Sequence, residues 1–203
     1  MIKNIIFDMG GVLIRYKPRE ILEEAGIDKE TADLALKEIF KNNLWNEKDR
    51  GTVFPEDIWR EKGHLFSGED AEKIKDMTFN LYPYMKPFPE MEKLIATLKN
   101  NGYGIYLLSN AALDFYENKW RIPALNLFDG YLVSADYLLL KPEKEIYEKL
   151  WEKFNLNPDE CVFIDDMPQN VKGSIDAGMQ AICYDHGNIE ILKTDLEKLG
   201  VKI

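Results

Sequence analysis

A chain of 203 residues, 45% of them hydrophobic, fits one globular domain with a modest insertion and can bury a sizeable core. The formal net charge is −10 at pH 7 and no lysine-rich cluster stands out, so nucleic acid and anionic membranes are not expected partners. No stretch approaches the roughly 20 apolar residues of a membrane-spanning helix.

The first predicted element is a short buried strand at residues 5–8, and its apolar run ends in Asp8. Because the carboxylate cuts the run short, we expect no signal peptide here. Gly10 and Gly11 follow after Met9. We interpret them as the place where the backbone turns sharply and brings its own N–H and C=O groups close to a ligand, which glycine permits.

Residues 15–87, which we call the insert, contain no strong strand pattern. Four stretches of the insert predict helices separated by turn residues, namely 18–27, 29–43, 55–63 and 68–82. We therefore predict an all-helical domain at 15–87, inserted into a core formed by 1–14 and 88–203.

The remainder of the chain alternates strands with helices. Further strands are predicted by apolar runs at 103–110, 130–136, 161–166 and, more weakly, 180–185. Amphipathic patterns predict helices at 88–102, 141–156 and 170–179. This alternation predicts βαβ units, and hence an α/β fold with a parallel sheet.

The two cysteines, Cys161 and Cys183, lie within the last two apolar runs. Free cysteine packs as a small hydrophobic side chain, and two such residues make no disulfide framework. We therefore expect free thiols and a reduced, cytoplasmic compartment.

Polar residues gather where the predicted strands end, and open parallel sheets bind ligands beyond those ends. They are Asp8, Ser109, Asn110, Lys141, Asp165 and Asp166. Three carboxylates repel one another unless a cation lies among them, and an all-oxygen ligand set favours Mg²⁺. A hydroxyl, an amide and an ammonium beside that cation suit a phosphoryl group.

Each of these residues also has an ordinary structural explanation. Asp8 could simply end a strand, Ser109 and Asn110 could cap a helix, and Lys141 could be a surface lysine. Their joint occurrence at the ends of separate strands favours a functional site.

Four segments resemble the motifs of the haloacid dehalogenase-like hydrolases, namely FDMGGVL, LLSN, LKPEKEIY and VFIDDMPQNVKGSIDAGM. The resemblance spans 1–14 and 88–185, and residues 46–59 are similar to the small helical cap of the sugar-1-phosphate phosphatase branch. It implies a three-layer Rossmann-like core with a helical cap. It also implies a phosphatase that hydrolyses a small phosphorylated metabolite, such as a hexose 1-phosphate, through an aspartyl phosphate.

The resemblance implies a role for each residue at the strand ends. The nucleophile would be Asp8. The Mg²⁺ ligands would be Asp8, the carbonyl of Gly10, Asp166 and, directly or through water, Asp165. The phosphoryl oxygens would be held by Ser109, Asn110 and Lys141, while Asn170 would steady the acidic loop.

Two positions depart from the family pattern. Most relatives carry a second aspartate, as general acid and base, where this chain has Gly10. Because general acid catalysis contributes roughly 10²–10⁴-fold in rate, the leaving group must be good, or a water or cap residue must supply the proton, or the protein is slow. The second departure is Leu138, where relatives often have glycine.

Two other functions stay open. A metal-independent 2-haloacid dehalogenase would use Asp8 on carbon, but the paired Asp165 and Asp166 would then have no purpose. A catalytically weak phosphate-binding protein would explain Gly10. In the main hypothesis the partner is a small phosphate ester and the chain is a monomer or homodimer. Candidate substrate contacts in the insert are Trp45, Asp49, Arg50 and His64.

Overall fold

The computed structural model describes residues 1–185 and 187–203. The strands in this part of the chain are β1 (Asn4–Phe7), β2 (Gly104–Ser109), β3 (Gly130–Val133), β4 (Cys161–Asp165) and β5 (Gln180–Cys183). They form one sheet in the order β3-β2-β1-β4-β5, and every neighbouring pair is parallel. The predicted parallel sheet is confirmed.

The helices of the insert are α1 (Pro18–Glu24), α2 (Lys29–Ala35), α3 (Asn43–Arg50), α4 (Pro55–Lys62) and α5 (Gly68–Phe79). The later helices are α6 (Pro89–Asn100), α7 (Phe115–Asn118), α8 (Lys144–Phe154), α9 (Pro168–Ala177) and α10 (Ile189–Lys198). Local sequence explains several ends. Pro89 and Pro168 lie in the first turns of α6 and α9, where a missing N–H removes no helical hydrogen bond. Gly178 ends α9 with a φ of 110°.

Helices cover both faces of the sheet. On β1, Ile5 and Phe7 pack into the same cluster as the apolar faces of α6 and α10. Ile6 points to the opposite face and packs with the apolar residues of α8. Because successive strand residues alternate between faces, a fully apolar strand needs a helical layer on each side. The three-layer Rossmann-like α/β fold is therefore confirmed.

The insert buries its own apolar cluster, built from residues of α1 to α5 and the turns between them, including Ile21, Ile39, Ile58, Ile74 and Met77. Where the insert leaves and rejoins the core, the chain pairs with itself. Arg15 N donates to Lys86 O at 2.8 Å, and Phe88 N donates to Leu13 O at 3.0 Å. The four helices predicted for the insert are confirmed, although the second continues after α2 as a π-helical turn, Leu36–Phe40, and α3 was not predicted. The division of the chain into two domains stays a prediction.

Two predicted elements of the core end or begin elsewhere than expected, at positions that bear on the site. The run 130–136 leaves the sheet after Val133, because the Ser134 hydroxyl accepts a hydrogen bond from Ala111 N at 2.9 Å and turns the chain into a 3₁₀ turn, Ser134–Asp136. Helix α8 begins at Lys144, after a cis Lys141–Pro142 peptide bond. Lys141 therefore lies in a loop between β3 and α8.

Leu138 adopts the left-handed backbone conformation, with a φ of 56°, and its side chain is 55% exposed. This conformation costs a non-glycine residue roughly 1–2 kcal/mol, partly offset because glycine loses more backbone entropy on folding. We expect Leu138→Gly to raise the free energy of unfolding by about 0.5–1 kcal/mol, measured by urea denaturation. Leu138→Ala, which keeps the conformational penalty, is the matched control and should leave stability within about 0.5 kcal/mol. Equal effects of the two variants would contradict the explanation.

Cys161 and Cys183 are free thiols, as expected. Cys161 is buried at the start of β4, and Cys183 is half-buried at the end of β5. Among the helices of residues 1–185 and 187–203, none has the length and apolar character needed to cross a membrane.

Candidate active site

The three predicted acidic residues lie together at the carboxyl end of the sheet. Asp8 follows β1, and Asp165 and Asp166 lie at the end of the adjacent strand β4. One oxygen atom from each of the three carboxylates lies within 4.8 Å of the other two. The backbone joins the two strand ends, since Asp8 N donates to Ile164 O at 2.9 Å. The parallel register thus places carboxylates from distant parts of the chain side by side.

Lys141 bridges two of these carboxylates. Its Nζ lies 2.7 Å from Asp8 Oδ1 and 2.7 Å from Asp165 Oδ2, and it donates to Leu108 O at 3.0 Å. The side chain is only 1% exposed. Burial alone disfavours the ammonium, but Asp165 and Asp8 outweigh it and hold the pKa of Lys141 above its usual range. Lys141 is thus a buried, charged residue rather than a surface lysine.

The Asn110 side chain holds the loop that carries Lys141. Lys141 N donates to Asn110 Oδ1 at 2.8 Å, and Asn110 Nδ2 donates to Lys141 O at 3.1 Å. The carbonyl oxygen and one N–H of the amide are therefore occupied, and one N–H remains to reach a ligand. Ser109 is 1% exposed, and its hydroxyl has no hydrogen-bond partner within the described residues.

Asp165 is completely buried and tightly bound. Asn170 Nδ2 lies 3.1 Å from each of its carboxylate oxygens, and Met167 N donates to Oδ1 at 2.8 Å. Asn170 is itself held by Tyr147, whose hydroxyl donates to Asn170 O at 2.8 Å. Asn170 therefore orients the acidic turn through Asp165.

The two glycines after Met9 serve different purposes. Gly11 has a φ of 76°, and a Cβ atom there would lie 2.3 Å from Asp166 Oδ2, so only glycine lets this carboxylate approach the loop. Its N–H donates to Ile14 O at 2.8 Å and is used within the loop rather than offered to a ligand. A Cβ atom on Gly10 would lie 3.3 Å from the Cβ of Tyr16. Tyr16 therefore packs against the position where the family resemblance leads us to expect an aspartate.

Negative charge exceeds positive charge at this site. Burial raises the pKa of Asp8 to about 7, although Lys141 opposes the shift. Burial, with the charge of Asp165, also raises the pKa of Asp166 to about 6. Three carboxylates share a single buried ammonium, so a further cation would stabilise their ionised forms.

A cavity of about 480 Å³ opens over the site between the sheet and the insert. This volume is typical of sites for small metabolites. All the predicted site residues except the buried Asp165 line it, namely Asp8, Gly10, Ser109, Asn110, Lys141, Asp166 and Asn170. The insert contributes further lining residues, among them Tyr16, Phe40, Lys41, Trp45, Lys48, Asp49 and Tyr82.

Of the four insert residues singled out from the sequence, Trp45 and Asp49 line the cavity and His64 does not. Arg50 does not line the cavity either. Its guanidinium binds both carboxylate oxygens of Glu143, at 2.6 and 3.1 Å, and so ties the insert to the core. Sequence reasoning missed Lys48, which is 6% exposed with its Nζ 4.5 Å from the ring centre of Trp45. No helix was predicted at 43–50, so the i,i+3 spacing of Trp45 and Lys48 was a signal that sequence reasoning did not use.

Comparison with known proteins agrees with this architecture. The family model "haloacid dehalogenase-like hydrolase" matches residues 2–178. A sesquiterpene phosphatase of Aspergillus oryzae is 30% identical over 181 residues, covering 87% of each chain. A glyceraldehyde 3-phosphate phosphatase of Methanothermobacter thermautotrophicus is 23% identical, covering 100% of this chain and 91% of the relative.

Among solved structures, a haloacid dehalogenase-family enzyme of Bacteroides thetaiotaomicron, crystallised with magnesium and inorganic phosphate, superposes with a TM-score of 0.65. It is 23% identical, and the alignment covers 90% of this chain and 94% of that enzyme. The sheet order, the motif residues at the carboxyl end of the sheet and the match over most of the chain all point to the same family. The chain therefore belongs to the haloacid dehalogenase-like hydrolases.

Proposed function

We propose that this hydrolase is a Mg²⁺-dependent phosphatase that cleaves a small phosphate monoester, such as a sugar phosphate, through an aspartyl phosphate on Asp8. The observation that carries the proposal is the Asp8 carboxylate on a cavity wall, bound to Lys141 and grouped with Asp165 and Asp166. Relatives that are named as phosphatases support it.

Asp8 is the proposed nucleophile. Its carboxylate lines the cavity and is only 7% exposed, so a bound ester would meet it with little competing water. Attack on phosphorus forms the acyl phosphate and releases the alcohol, and water then hydrolyses the acyl phosphate. The route divides one difficult displacement into two easier ones. Lys141, 2.7 Å from the attacking carboxylate, holds it in place and offsets its charge.

The residues at the strand ends fit a magnesium ion. Three carboxylates with oxygen atoms within 4.8 Å of one another form the hard, all-oxygen donor set that Mg²⁺ prefers. Asp8, Asp166 and the Gly10 carbonyl are the proposed direct ligands. Asp165 has both oxygens engaged by Lys141 and Asn170, so it contributes directly or through water. When bound, the ion would neutralise charge on the phosphoryl oxygens.

Ser109, Asn110 and Lys141 are the proposed phosphoryl contacts. The Ser109 hydroxyl has no partner within the described chain, and Asn110 keeps one free amide N–H. Lys141 supplies the positive charge. Each preorganised donor of this kind is worth roughly 10²–10³-fold in rate.

The test is a panel of phosphate monoesters assayed for inorganic phosphate release, with Mg²⁺ and with a chelator. We expect release that depends on Mg²⁺, is lost with chelator and returns when the ion is added back. A 2-chloro carboxylic acid in the same panel tests the dehalogenase alternative. Chloride release that survives the chelator would establish that alternative and contradict the proposal. Saturable binding of phosphate with Mg²⁺ but no turnover of any ester would instead establish a binding protein.

A further inference from the structure

The mechanism proposed above lacks one group, an acid that protonates the departing alcohol. Gly10 has no side chain, and a Cβ atom there would lie 3.3 Å from the Cβ of Tyr16, closer than ordinary van der Waals contact. The space beside the nucleophile is therefore closed by an aromatic ring that comes from the insert. Any side chain that moves a proton here must reach the cavity from another part of the chain.

Asp49 occupies such a position. It lies in the last turn of α3 and lines the same cavity as Asp8 and Tyr16. The residue is half-buried, and within residues 1–185 and 187–203 its carboxylate makes neither an ion pair nor a hydrogen bond. A partly desolvated carboxyl group without a partner is costly to a fold, and such groups concentrate at functional sites.

The backbone of Asp49 is fixed to the core. Ser134 Oγ donates to Asp49 O at 2.5 Å. The next residue, Arg50, binds Glu143 and donates to Leu138 O at 3.1 Å, in the loop that also carries Lys141. Gly51 follows with a φ of 88°, where a Cβ atom would lie 2.8 Å from Ala135 O. This turn of the insert is thus docked on the core beside the proposed catalytic loop, which preorganises Asp49.

We propose that Asp49 is the general acid and base of the phosphatase reaction and replaces the aspartate that is absent at Gly10. The inference rests on the proposed function and deepens it. In the first step Asp8 Oδ forms a bond to phosphorus, the bond from phosphorus to the ester oxygen breaks, and that oxygen takes the proton of the Asp49 carboxylic acid. In the second step the Asp49 carboxylate takes a proton from water as the water oxygen attacks phosphorus. The Asp8–phosphorus bond then breaks, and phosphate leaves with Asp49 protonated again.

The surroundings of Asp49 suit both roles. Burial raises its pKa to about 7, with Lys48 opposing the shift and Asp114 adding to it. A pKa near the working pH is the optimum for a group that donates and accepts in turn. Burial and nearby negative charge, including that of Asp49, raise the pKa values of the Tyr16 and Tyr82 phenols above the ordinary value. The 3₁₀ turn Ser134–Asp136 of the core packs against α3 and carries one further carboxylate, Asp136. This carboxylate accepts a hydrogen bond from the Tyr116 hydroxyl.

Two neighbours are weaker candidates for this role. Asp114 also lines the cavity, but its Oδ2 lies 3.8 Å from Lys48 Nζ, so it already has an ion-pair partner. Tyr16 is a poorer acid because burial, with the charge of Asp49, raises the pKa of its phenol above the ordinary value. Tyr16→Phe therefore serves as a second variant in the test.

The test compares an alkyl phosphate, whose alkoxide needs a proton to leave, with 4-nitrophenyl phosphate, whose phenolate does not. For Asp49→Asn we expect kcat/KM to fall about 10²–10³-fold with the alkyl ester and less than about tenfold with the aryl ester. Because the second step loses its base, 4-nitrophenol should appear as a burst equal to the enzyme present. With the alkyl ester, wild-type kcat/KM should fall as the pH rises through about 7, and this limb should vanish in the variant.

Asp76→Asn is the matched control, since Asp76 is an exposed carboxylate on α5 that does not line the cavity. Its rates should match the wild type. Asp49→Glu, which keeps a carboxyl group, should recover part of the alkyl activity. If Asp49→Asn loses equal activity on both esters and shows no burst, the assignment to Asp49 is overturned. It is also overturned if Tyr16→Phe, rather than Asp49→Asn, loses more activity on the alkyl ester than on the aryl ester. Wild-type protein that releases phosphate from neither ester would overturn the proposed function itself, so the two failures are distinguishable.

Discussion

Asp8→Asn is expected to lower the rate of phosphate ester hydrolysis by about 10⁴-fold or more, the scale on which enzymes lose activity when a nucleophile is removed. An amide has nearly the shape of a carboxylate but cannot form the acyl phosphate. The measurement is phosphate release with Mg²⁺ at saturating substrate. Asp159→Asn, an exposed aspartate before β4, is the matched control and should retain full activity. Activity of Asp8→Asn within about tenfold of the wild type would exclude an aspartyl phosphate on this residue.

The same variant has a predictable effect on stability. Because burial raises the pKa of Asp8 from 3.8 to about 7, the folded protein binds this proton more tightly than the unfolded chain does. Wild-type stability contributed by this group is therefore lost as the pH rises from about 4 to about 7. Asparagine does not titrate, so without metal the variant should gain stability relative to wild type across that window. Urea denaturation in chelator at about pH 5 and about pH 8 measures the difference. If the variant is more stable than the wild type at the higher pH, it is folded there, and its loss of activity does not come from unfolding.

Much of this site follows from sequence because two simple rules act together. Short runs such as Ile5 to Phe7 and Cys161 to Ile164 are apolar on both faces, which is the pattern of a strand buried in a parallel sheet. Parallel strands end at the same edge of the sheet, so polar residues after the runs must converge. To predict that Asp8 lies close to Asp165 and Asp166, it is enough to assume that the strands ending at these residues are neighbours in the sheet.

The contribution of the insert could not be predicted in the same way. Helical periodicity tells which face of α3 is apolar, but it does not give the angle at which the insert docks on the sheet. That angle decides that Lys48 and Asp49 reach the cavity while His64 does not. It is set by contacts between residues far apart in sequence, such as Arg50 with Glu143, which no local pattern reveals.

Sequence also leaves undecided which polar groups bind a ligand and which bind each other. Asn110 was predicted to contact a phosphoryl group, yet most of its amide is used to hold the Lys141 loop. Both functions need a polar side chain at a strand end, so the residue type alone does not separate them. At Leu138 the chain keeps a left-handed backbone without the glycine that usually marks one, because Arg50 binds its carbonyl and the loop is fixed from outside.

Lys141→Met is expected to have the largest effect on stability. The substitution keeps the apolar stem but removes the ammonium that lies 2.7 Å from both Asp8 and Asp165. Removing one partner of a buried ion pair leaves uncompensated charge and costs about 3–5 kcal/mol. We expect a loss of this size in the free energy of unfolding, measured by urea denaturation in chelator at about pH 8. Lys172→Met, which removes an exposed partner of Asp176, should change stability by no more than about 0.5 kcal/mol.

The pH dependence of this loss separates charge from packing. Without Lys141 nothing offsets the burial of Asp8, so its pKa rises further and protonation becomes the means of neutralising the cluster. A carboxyl group with a raised folded-state pKa favours folding increasingly as the pH falls below that value. The deficit of Lys141→Met should therefore shrink between about pH 8 and about pH 5. A deficit that is the same at both values would mean that the lysine stem, rather than its charge, stabilises the fold.

Mg²⁺ provides the complementary arm of the experiment, because a divalent cation bound to Asp8 and Asp166 would neutralise the same charges as the ammonium. Added Mg²⁺ should raise the stability of Lys141→Met more than that of the wild type, since the variant begins with the larger excess of negative charge. Hydrolysis should still fall by about 10²–10³-fold with the ion present, because the ammonium proposed to bind the phosphoryl oxygens is gone. Recovery of stability without recovery of rate would separate the neutralisation of the carboxylates by this lysine from its proposed binding of the phosphoryl group.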